Sequence, residues 1–350
     1  MEYRQLGRSG LRVSKLALGT MTFGDAGTAA VLGGVAIREA RALVDQALEA
    51  GVNLIDTADM YADGRSEEIL GEILQGRRDD VLLATKARFA MGPGPNDAGL
   101  SRHHLIRACE ASLRRLRTDH IDLYQVHERD GQTPVEETLA ALDTLVHDGK
   151  VRYIGCSNHS AWHLMKALGT SERLGLARYV SQQIYYTLLH REAEYELVPL
   201  SIDEGLGIIV WSPLAGGLLT GKYRRDGTVP NDVRHTTDWT EPPIYDMSRM
   251  FDIIETLGEV AREHGRSSAQ TALAYLLGKP GVTSVVIGAR TGEQLADNLK
   301  SATWDLDPAA RTRLDEISAV PLIYPYWHQA KSAGERLSPG DLTLLGGGRP

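Results

Sequence analysis

Short apolar runs rich in β-branched residues alternate along this chain with segments in which apolar residues recur every three or four positions. The apolar residues from Ala40 to Leu48 fall on one face of a predicted helix that ends at Gly51, and a predicted strand ending at Asp56 follows. The same order of helix and strand then repeats through the chain. Because strands that are joined through helices return in the same direction, this alternation predicts a parallel sheet.

Eight strands are predicted in the repeating part of the chain, at residues 15–20, 54–56, 81–85, 121–126, 151–155, 179–184, 207–211 and 282–287. Eight strand–helix units that close on themselves make a (β/α)8 TIM barrel, in which the functional groups lie on the loops after the strands. A doubly wound open sheet is the alternative, but the Gly-rich turn expected after its first strand is absent.

The predicted organisation is a single barrel domain over residues 1–350 with three additions. An N-terminal β-hairpin is predicted at about 3–14, a rim insertion at about 223–247, and a C-terminal extra helix that opens at Asp307 is followed by a tail at about 319–350. Helix starts are also predicted at Ser66, at Ser101 and at Thr133, where Pro134 takes the first helical position of a capping box.

Composition and charge narrow the functional classes. The 350 residues carry a net charge of −8 without a run of like charges, which argues against a nucleic-acid partner. No stretch reaches the roughly 18 apolar residues of a membrane span, and the N-terminus lacks the pattern of a signal peptide, so a cytoplasmic protein is expected. Cys109 and Cys156 are too few for a disulfide framework and lack metal-ligand spacing.

Three consecutive predicted strands each deliver ionisable side chains to their carboxyl end. Asp56 and Tyr61 belong to the second strand and its loop, Lys86 to the third and His127 to the fourth. A free tyrosine titrates at about 10, but a neighbouring ammonium stabilises the phenolate, and a carboxylate holds that ammonium charged and in place. An imidazole adds a donor that can orient a carbonyl oxygen. We therefore expect a site in which Tyr61 acts as a general acid.

Further polar and aromatic residues follow the remaining strands. Ser157 and Asn158 come after the fifth strand, Gln183 lies on the sixth, Trp211 ends the seventh and Arg290 follows the eighth. Amides and a hydroxyl suit a carboxamide, an aromatic face suits a stacked pyridine ring, and a guanidinium suits a phosphate. This set predicts a nicotinamide dinucleotide across the open end of the barrel.

Two motifs point to other chemistry and are weaker. The segment 216–222 fits the core of a phosphate-binding P-loop, but Tyr223 stands where that loop needs a hydroxyl for magnesium, so an ATPase is rejected. The segment can still hold a phosphate through backbone amides. His159 and His163 lie four apart without a third ligand, so a surface pair is favoured over a metal site and no metal is expected.

Specific motifs complete a resemblance: Asp56-Thr57-Ala58-Asp59-Met60-Tyr61, Thr85-Lys86, Val126-His127, Gly155-Cys156-Ser157-Asn158, Trp211-Ser212-Pro213-Leu214 and Gly288-Ala289-Arg290. With them the chain resembles the aldo-keto reductases, in the branch of the potassium channel β subunits and bacterial aryl-alcohol dehydrogenases. The resemblance implies a catalytic tetrad of Asp56, Tyr61, Lys86 and His127. It implies cofactor contacts by Ser157, Asn158, Gln183, Trp211, Ser212, Leu214, Gly216, Lys222, Gly288, Arg290, Gln294 and Asn298.

The implied activity is NADPH-dependent reduction of an aryl or aliphatic aldehyde or a keto-sugar to the alcohol. Gly288-Ala289 replaces the Lys-Ser pair that many members use for the 2′-phosphate, so Arg290 is the expected phosphate partner and NADH stays an alternative. A redox-sensing or scaffolding subunit that holds NADPH with little turnover is the rival from another class. A phosphate-handling barrel isomerase is a third alternative, and a homo-oligomer is left open.

Overall fold

A β-hairpin precedes the barrel, as the sequence predicts. The computed structural model describes residues 1–25, 34–227 and 241–345. Strands β1 (Tyr3–Gln5) and β2 (Arg12–Ser14) pair antiparallel, with Arg4 opposite Val13. Parts of two predicted segments lie outside the described residues: 228–240 of the rim insertion and 346–350 of the tail.

Eight parallel strands close into a barrel in the order β10-β3-β4-β5-β6-β7-β8-β9. Their bounds are β3 (Leu16–Gly19), β4 (Leu54–Asp56), β5 (Leu82–Ala87), β6 (Ile121–Val126), β7 (Val151–Ser157), β8 (Tyr179–Tyr185), β9 (Gly207–Trp211) and β10 (Val282–Ile287). The predicted (β/α)8 TIM barrel is confirmed. Two predicted ends are too early, because β5 continues through Lys86 and β7 continues to Ser157.

Helices cover the outside of the barrel, as crossovers between parallel strands require. Their bounds are α1 (Ile37–Glu49), α2 (Arg65–Ile73), α3 (Arg102–Leu116), α4 (Val135–His147), α5 (Ala161–Leu174), α6 (Leu197–Glu204), α7 (Met247–Glu263), α8 (Ser268–Leu277), α9 (Gly292–Leu299), α10 (Pro308–Ile317), α11 (Tyr326–Ser332) and α12 (Leu342–Leu345). In this described part of the chain, no helix is long and apolar enough to cross a bilayer.

Apolar side chains fill the amino end of the barrel. Leu6 and Val13 of the hairpin are fully buried and join a cluster with inward-facing strand residues such as Leu54 and Ile209. The Arg8 amide also donates to the Gly205 carbonyl just before β9. The hairpin therefore closes this end, and the functional side chains lie at the opposite, carboxyl end.

Two of the predicted helix caps, at Ser66 and Thr133, are wrong, because these side chains bind other partners. Ser101 caps α3 by accepting from the His104 amide. Ser66 lies inside α2 and donates to the Thr20 carbonyl at 2.9 Å. Pro134 is itself the cap position of α4, while the Thr133 hydroxyl binds a carboxylate in its own loop.

The C-terminal helix α10 packs on α7, and the tail that follows it packs beside α6. The rings of Tyr195 and Tyr326 stack with centroids 5.4 Å apart. Gly340 lies against Pro199, where an added Cβ would be 2.9 Å from the Pro199 carbonyl oxygen. This contact holds the described part of the tail to the helical layer and leaves the carboxyl end of the strands open.

Candidate active site

A cavity of about 910 Å³ lies across the carboxyl end of the barrel. Asp56, Tyr61 and His127 line it, and so do all twelve residues expected to contact a cofactor, from Ser157 round to Asn298. Lys86 lies beneath the wall and is fully buried. The strand ends therefore bring every predicted site residue to one place, and a volume of this size falls within the usual range for ligand sites.

Lys86 lies between a carboxylate and a phenol. Its Nζ is 2.5 Å from Asp56 Oδ1, 2.9 Å from the Thr57 carbonyl oxygen and 3.4 Å from the Tyr61 hydroxyl. Burial, the largest single effect, acts to lower the pKa of Lys86, but Asp56 and Tyr61 together outweigh it and the net shift is upward. The ammonium therefore stays charged beside Tyr61.

Asp56 is held by groups from the far side of the barrel. Gln183 Nε2 donates to Asp56 Oδ2 at 2.8 Å, and Gln125 Nε2 approaches the same oxygen at 3.3 Å. Sequence reasoning missed Gln125, although a glutamine near the carboxyl end of a fully buried strand is a recognisable signal. The side-chain amide of Gln183, which is expected to bind a carboxamide, therefore also binds Asp56.

Opposing effects set the acidity of Tyr61. Burial raises its pKa above the ordinary value, Lys86 lowers it, and Asp56 raises it again, so the net direction is upward. The sequence predicts a phenol that Lys86 acidifies, and this holds relative to a buried phenol without that ammonium. Tyr61 thus keeps its proton at neutral pH, as a proton donor must.

The backbone after Tyr61 is unusual. Ala62 and Asp63 have φ of 50° and 55°, a left-handed conformation that costs about 1–2 kcal/mol for residues with a Cβ. Ala62 is buried, and an added Cβ on Gly24 would lie 2.7 Å from its methyl group. Close packing from the loop after β3 therefore accompanies the turn that orients Tyr61.

His127 presents a neutral imidazole beside Tyr61. The two rings meet edge to face at 5.9 Å, and Phe89 packs on the other side at 4.9 Å. Burial lowers the pKa of His127 well below its ordinary value, and the charges of Lys86 and Arg88 add to the effect. Its buried Nδ1 has no hydrogen-bond partner among the described residues. Phe89 was not among the predicted contact residues, although it lies near the start of the loop after β5.

The residues expected to hold a nicotinamide group form an interlocked set. Trp211 Nε1 donates to Asn158 Oδ1 at 3.0 Å, and Asn158 Nδ2 donates to the His127 carbonyl at 3.2 Å. Tyr185, which sequence reasoning missed, packs on Trp211 with ring centroids 4.8 Å apart. These contacts hold the indole at the cavity wall, where an aromatic face can stack on a flat ring.

The far end of the cavity offers backbone and cationic groups. Gly216 and Gly217 both have positive φ in the turn after β9, and Lys222 follows exposed at the cavity wall. An added Cβ on Gly288 would meet nothing within 4 Å, so open space adjoins the backbone there. Glycine-rich backbone beside a lysine suits a pyrophosphate.

Further hydrogen-bonded pairs lie at the end of the cavity where the adenosine contacts are expected. The Arg290 amide donates to Gln294 Oε1 at 3.0 Å, and the largely buried Asn298 donates to the Gly288 carbonyl at 3.3 Å. Ser267 and Asp297 also line this end and hydrogen-bond each other at 2.6 Å, and sequence reasoning missed both. Asp297 directly precedes Asn298 on the cavity side of α9, which is the signal that could have found it.

The predicted surface pair of histidines is not fully on the surface, because His159 is buried and His163 is half-buried, and both have ordinary partners. His159 Nδ1 lies 2.9 Å from the Ser157 carbonyl, and His163 Nδ1 lies 2.5 Å from Ser160 Oγ. In residues 1–25, 34–227 and 241–345, no group of three or more potential ligands is placed to hold a metal ion. Both cysteines are buried free thiols, and burial raises the pKa of Cys109 to about 12.

The sequence matches the profile of the Aldo/keto reductase family over residues 15–319. An uncharacterized oxidoreductase, YrpG, of Bacillus subtilis (strain 168) is 41% identical over 92% of this chain and 97% of its own length. A probable voltage-gated potassium channel subunit beta of Oryza sativa subsp. japonica is 39% identical over 91% of this chain and 96% of its own. Versiconal hemiacetal acetate reductase of Aspergillus parasiticus is 34% identical over 93% of this chain and 99% of its own. The predicted family and its branch are confirmed, and the chain belongs to the aldo/keto reductase family.

Proposed function

We propose that this protein is a cytoplasmic NADPH-dependent reductase that converts aldehydes or ketones to alcohols. The observation that carries the proposal is the position of Lys86, whose ammonium joins Asp56 to Tyr61 beside an open cavity. Family membership and the oxidoreductase relatives support the same general chemistry.

The residues of the tetrad divide the work between donating and stabilising. Tyr61 gives its phenolic proton to the carbonyl oxygen as that oxygen gains negative charge. Lys86 stabilises the phenolate that remains, and Asp56 keeps Lys86 charged. The neutral His127 imidazole can donate a hydrogen bond to the same oxygen and so orient it. When bound, the nicotinamide dinucleotide supplies the hydride that reduces the carbonyl carbon.

The chain offers groups for each part of the dinucleotide. We assign the carboxamide to Ser157, Asn158 and Gln183, and the stacked ring to Trp211. The pyrophosphate is assigned to Ser212, Leu214, Gly216 and Lys222, and the adenosine end to Gly288, Arg290, Gln294 and Asn298. A guanidinium binds a 2′-phosphate well, which favours NADPH over NADH.

The substrate side of the cavity is largely apolar. Met21, Met60, Phe89 and Trp211 line it beside Tyr61 and His127. Apolar and aromatic walls favour an aryl or aliphatic group next to the carbonyl over a strongly hydrated sugar. We therefore propose aryl and aliphatic aldehydes as the substrates, with keto-sugars as the less favoured class.

The test is Tyr61→Phe, which removes the proton donor and keeps the ring. We expect turnover of an aromatic aldehyde to fall by about 10²–10⁴-fold, because this is the usual contribution of a general acid. NADPH binding, measured by fluorescence titration, should be retained. Tyr124→Phe is the matched control, since Tyr124 is a buried tyrosine on β6 whose hydroxyl faces the Leu105 carbonyl.

Unimpaired turnover in Tyr61→Phe would contradict the assignment of the acid. The rival function, a subunit that holds NADPH with little turnover, is favoured by the relatives named as channel β subunits. Stopped-flow oxidation of bound NADPH by a panel of aldehydes, repeated with NADH, separates the two. If the aldehydes rapidly oxidise the bound NADPH, the reductase is supported. If the bound nucleotide stays reduced, the rival function is supported.

A further inference from the structure

Asp59 is a fully buried carboxyl group with almost nothing to bind. Its side chain is 0% exposed, and neither oxygen forms a hydrogen bond of normal geometry with a described residue, although the Met60 amide faces it. The backbone amide of Asp59 donates to the Lys86 carbonyl at 3.0 Å. This bond holds the Asp59 backbone next to the strand that carries Lys86. Buried polar atoms are nearly always paired, and an unpaired buried carboxylate is costly. This arrangement calls for a neutral carboxyl group.

A second buried carboxylate determines where the negative charge lies. Glu67 is also 0% exposed, but each of its oxygens has a partner: Thr85 Oγ1 at 2.6 Å and Arg115 Nε at 2.7 Å. Two neighbouring carboxylates that share one cation do not both ionise readily. Because Glu67 holds the guanidinium and the hydroxyl, the negative charge is better placed on Glu67, and Asp59 is the group left to carry a proton.

Every charged or titratable neighbour of Asp59 fits this assignment. Burial and the Glu67 carboxylate raise the pKa of Asp59 to about 8, and the cations of Arg115 and Lys86 offset this only in part. Tyr61 and Tyr124 are the phenols that sense its charge. A negative Asp59 would raise the pKa of Tyr61, because it adds to the effect of Asp56.

We propose that Asp59 is a positioning residue that stays protonated in the working enzyme and so reserves the Lys86 ammonium for Asp56 and Tyr61. Ionisation of Asp59 would place a second negative charge near Lys86 and make Tyr61 a weaker acid. The proposal rests on the proposed function for its kinetic part, since it describes how the strength of that acid is set. Its structural part, a buried neutral carboxyl group, stands without it.

The kinetic test compares Asp59→Asn with the wild type across pH, because asparagine has the same shape and cannot ionise. At pH 6.5 the two should reduce an aromatic aldehyde at similar kcat/KM. By pH 9.5 the wild type should be slower, by up to about tenfold, because the ionised Asp59 raises the pKa of Tyr61 and weakens it as an acid. Asp63→Asn, an exposed aspartate on the same loop, should follow the wild type at every pH.

The second test measures stability and needs no turnover. Because the folded state binds the Asp59 proton more tightly than the unfolded chain, the stabilisation is complete below about pH 4 and is lost as pH rises toward 8. The folding equilibrium constant of the wild type should therefore decrease relative to Asp59→Asn, by up to about tenfold per pH unit within that window. Asp63→Asn, which keeps Asp59, should lose stability with rising pH in parallel with the wild type.

The outcomes separate the two proposals. If no variant reduces a carbonyl at any pH but the stability drift is present, the proposed function fails and the neutral Asp59 stands. Parallel pH–rate profiles together with parallel stability curves overturn the inference. Should Asp59→Asn not fold, infrared spectroscopy of the wild type decides: a buried carboxylic-acid band that disappears between pH 6.5 and 9.5 supports a protonated Asp59, and its absence refutes it.

Discussion

Among the described residues, two of the clusters of buried charge treat their polar atoms in opposite ways. One is the site at the carboxyl end of the strands. The other lies beneath α10 and joins Arg191 and Glu194, in the loop after β8, to Lys279 after α8 and Asp315 on α10. We call this second group the α10 ion network.

The α10 ion network pairs its groups fully. Glu194 accepts from Arg191 through both oxygens and from the Tyr186 hydroxyl at 2.5 Å. Lys279 Nζ lies 2.5 Å from Asp315 Oδ1 and 3.3 Å from Glu194. Among the described residues, none of the four charged side chains has a buried polar atom without a partner. Such a cluster fixes structure, because any change leaves a charge exposed to an apolar interior.

The candidate active site leaves groups unpaired instead. Both oxygens of Asp59, Nδ1 of His127 and Oε1 of Gln125 have no hydrogen-bond partner in the part of the chain that the structure describes. Unsatisfied buried atoms are rare and concentrate where a protein has a function other than its own stability. The comparison teaches that buried charge alone does not identify a site. Unpaired buried atoms also occur elsewhere in the described residues, for example at Arg77 and Trp304, so they point to a site only where several gather near a cavity.

The largest expected effect on activity is at Lys86, in the candidate active site. We expect Lys86→Met to lower kcat/KM by about 10²–10⁴-fold, because Tyr61 loses the cation that stabilises its phenolate. Steady-state kinetics with an aromatic aldehyde measures this. The matched control is Lys15→Met: Lys15 is a buried lysine paired with Glu2 at 3.2 Å at the amino end of β3, and turnover should not change. Equal losses in both variants would show that the effect is not local to the site.

The converse change is Glu194→Ala in the α10 ion network. Removing this carboxylate leaves the buried cations of Arg191 and Lys279 undercompensated, so the free energy of unfolding should fall by about 3–5 kcal/mol. Denaturant titration measures this, and the folded fraction should keep its kcat/KM. Glu192→Ala, in the same turn but exposed, should change stability by less than about 0.5 kcal/mol. A Glu194→Ala protein as stable as this control would show that the network does not stabilise the fold.

The smallest expected effect is a change in stability in the loop after Tyr61. Asp63 is exposed with φ of 55°, so Asp63→Gly should stabilise the protein by about 0.5 kcal/mol, the relief of left-handed strain less the added freedom of the unfolded chain. Glu68→Gly, exposed within helix α2, should destabilise it by about 1 kcal/mol. Thermal unfolding of both variants checks the difference in sign. Loss of stability in Asp63→Gly would mean that its side chain supports the turn.

Local patterns were sufficient to predict the barrel and the assembly of the site. All eight strands were predicted because each is a short apolar run after a helical pattern, and Asp56, Lys86 and His127 were found because they interrupt or end such runs. The roles of the tetrad and of the cofactor contacts stay predictions. The ends of β5 and β7 were missed because Lys86 and Ser157, though polar, remain in the strand ladder.

Contacts between distant residues could not be predicted in the same way. Gln183 reaches Asp56 across 127 positions of sequence, and nothing local to either residue indicates it. The α10 ion network draws on a loop, a helix end and a second helix, which share no periodic pattern. Ser66 resembles a cap in sequence, but in the folded protein its hydroxyl binds Thr20. Tertiary pairing overrides local preference at each of these positions.

The hairpin beneath the barrel bears on the order of events in a catalytic cycle. Because Leu6 and Val13 close the amino end of the barrel, both reactants would enter and leave through its carboxyl end. The molecule that binds deeper in the cavity would then bind first and leave last, because the other molecule covers it. The N-terminal hairpin, although distant from the reacting groups, would in this way favour an ordered sequence of binding and release.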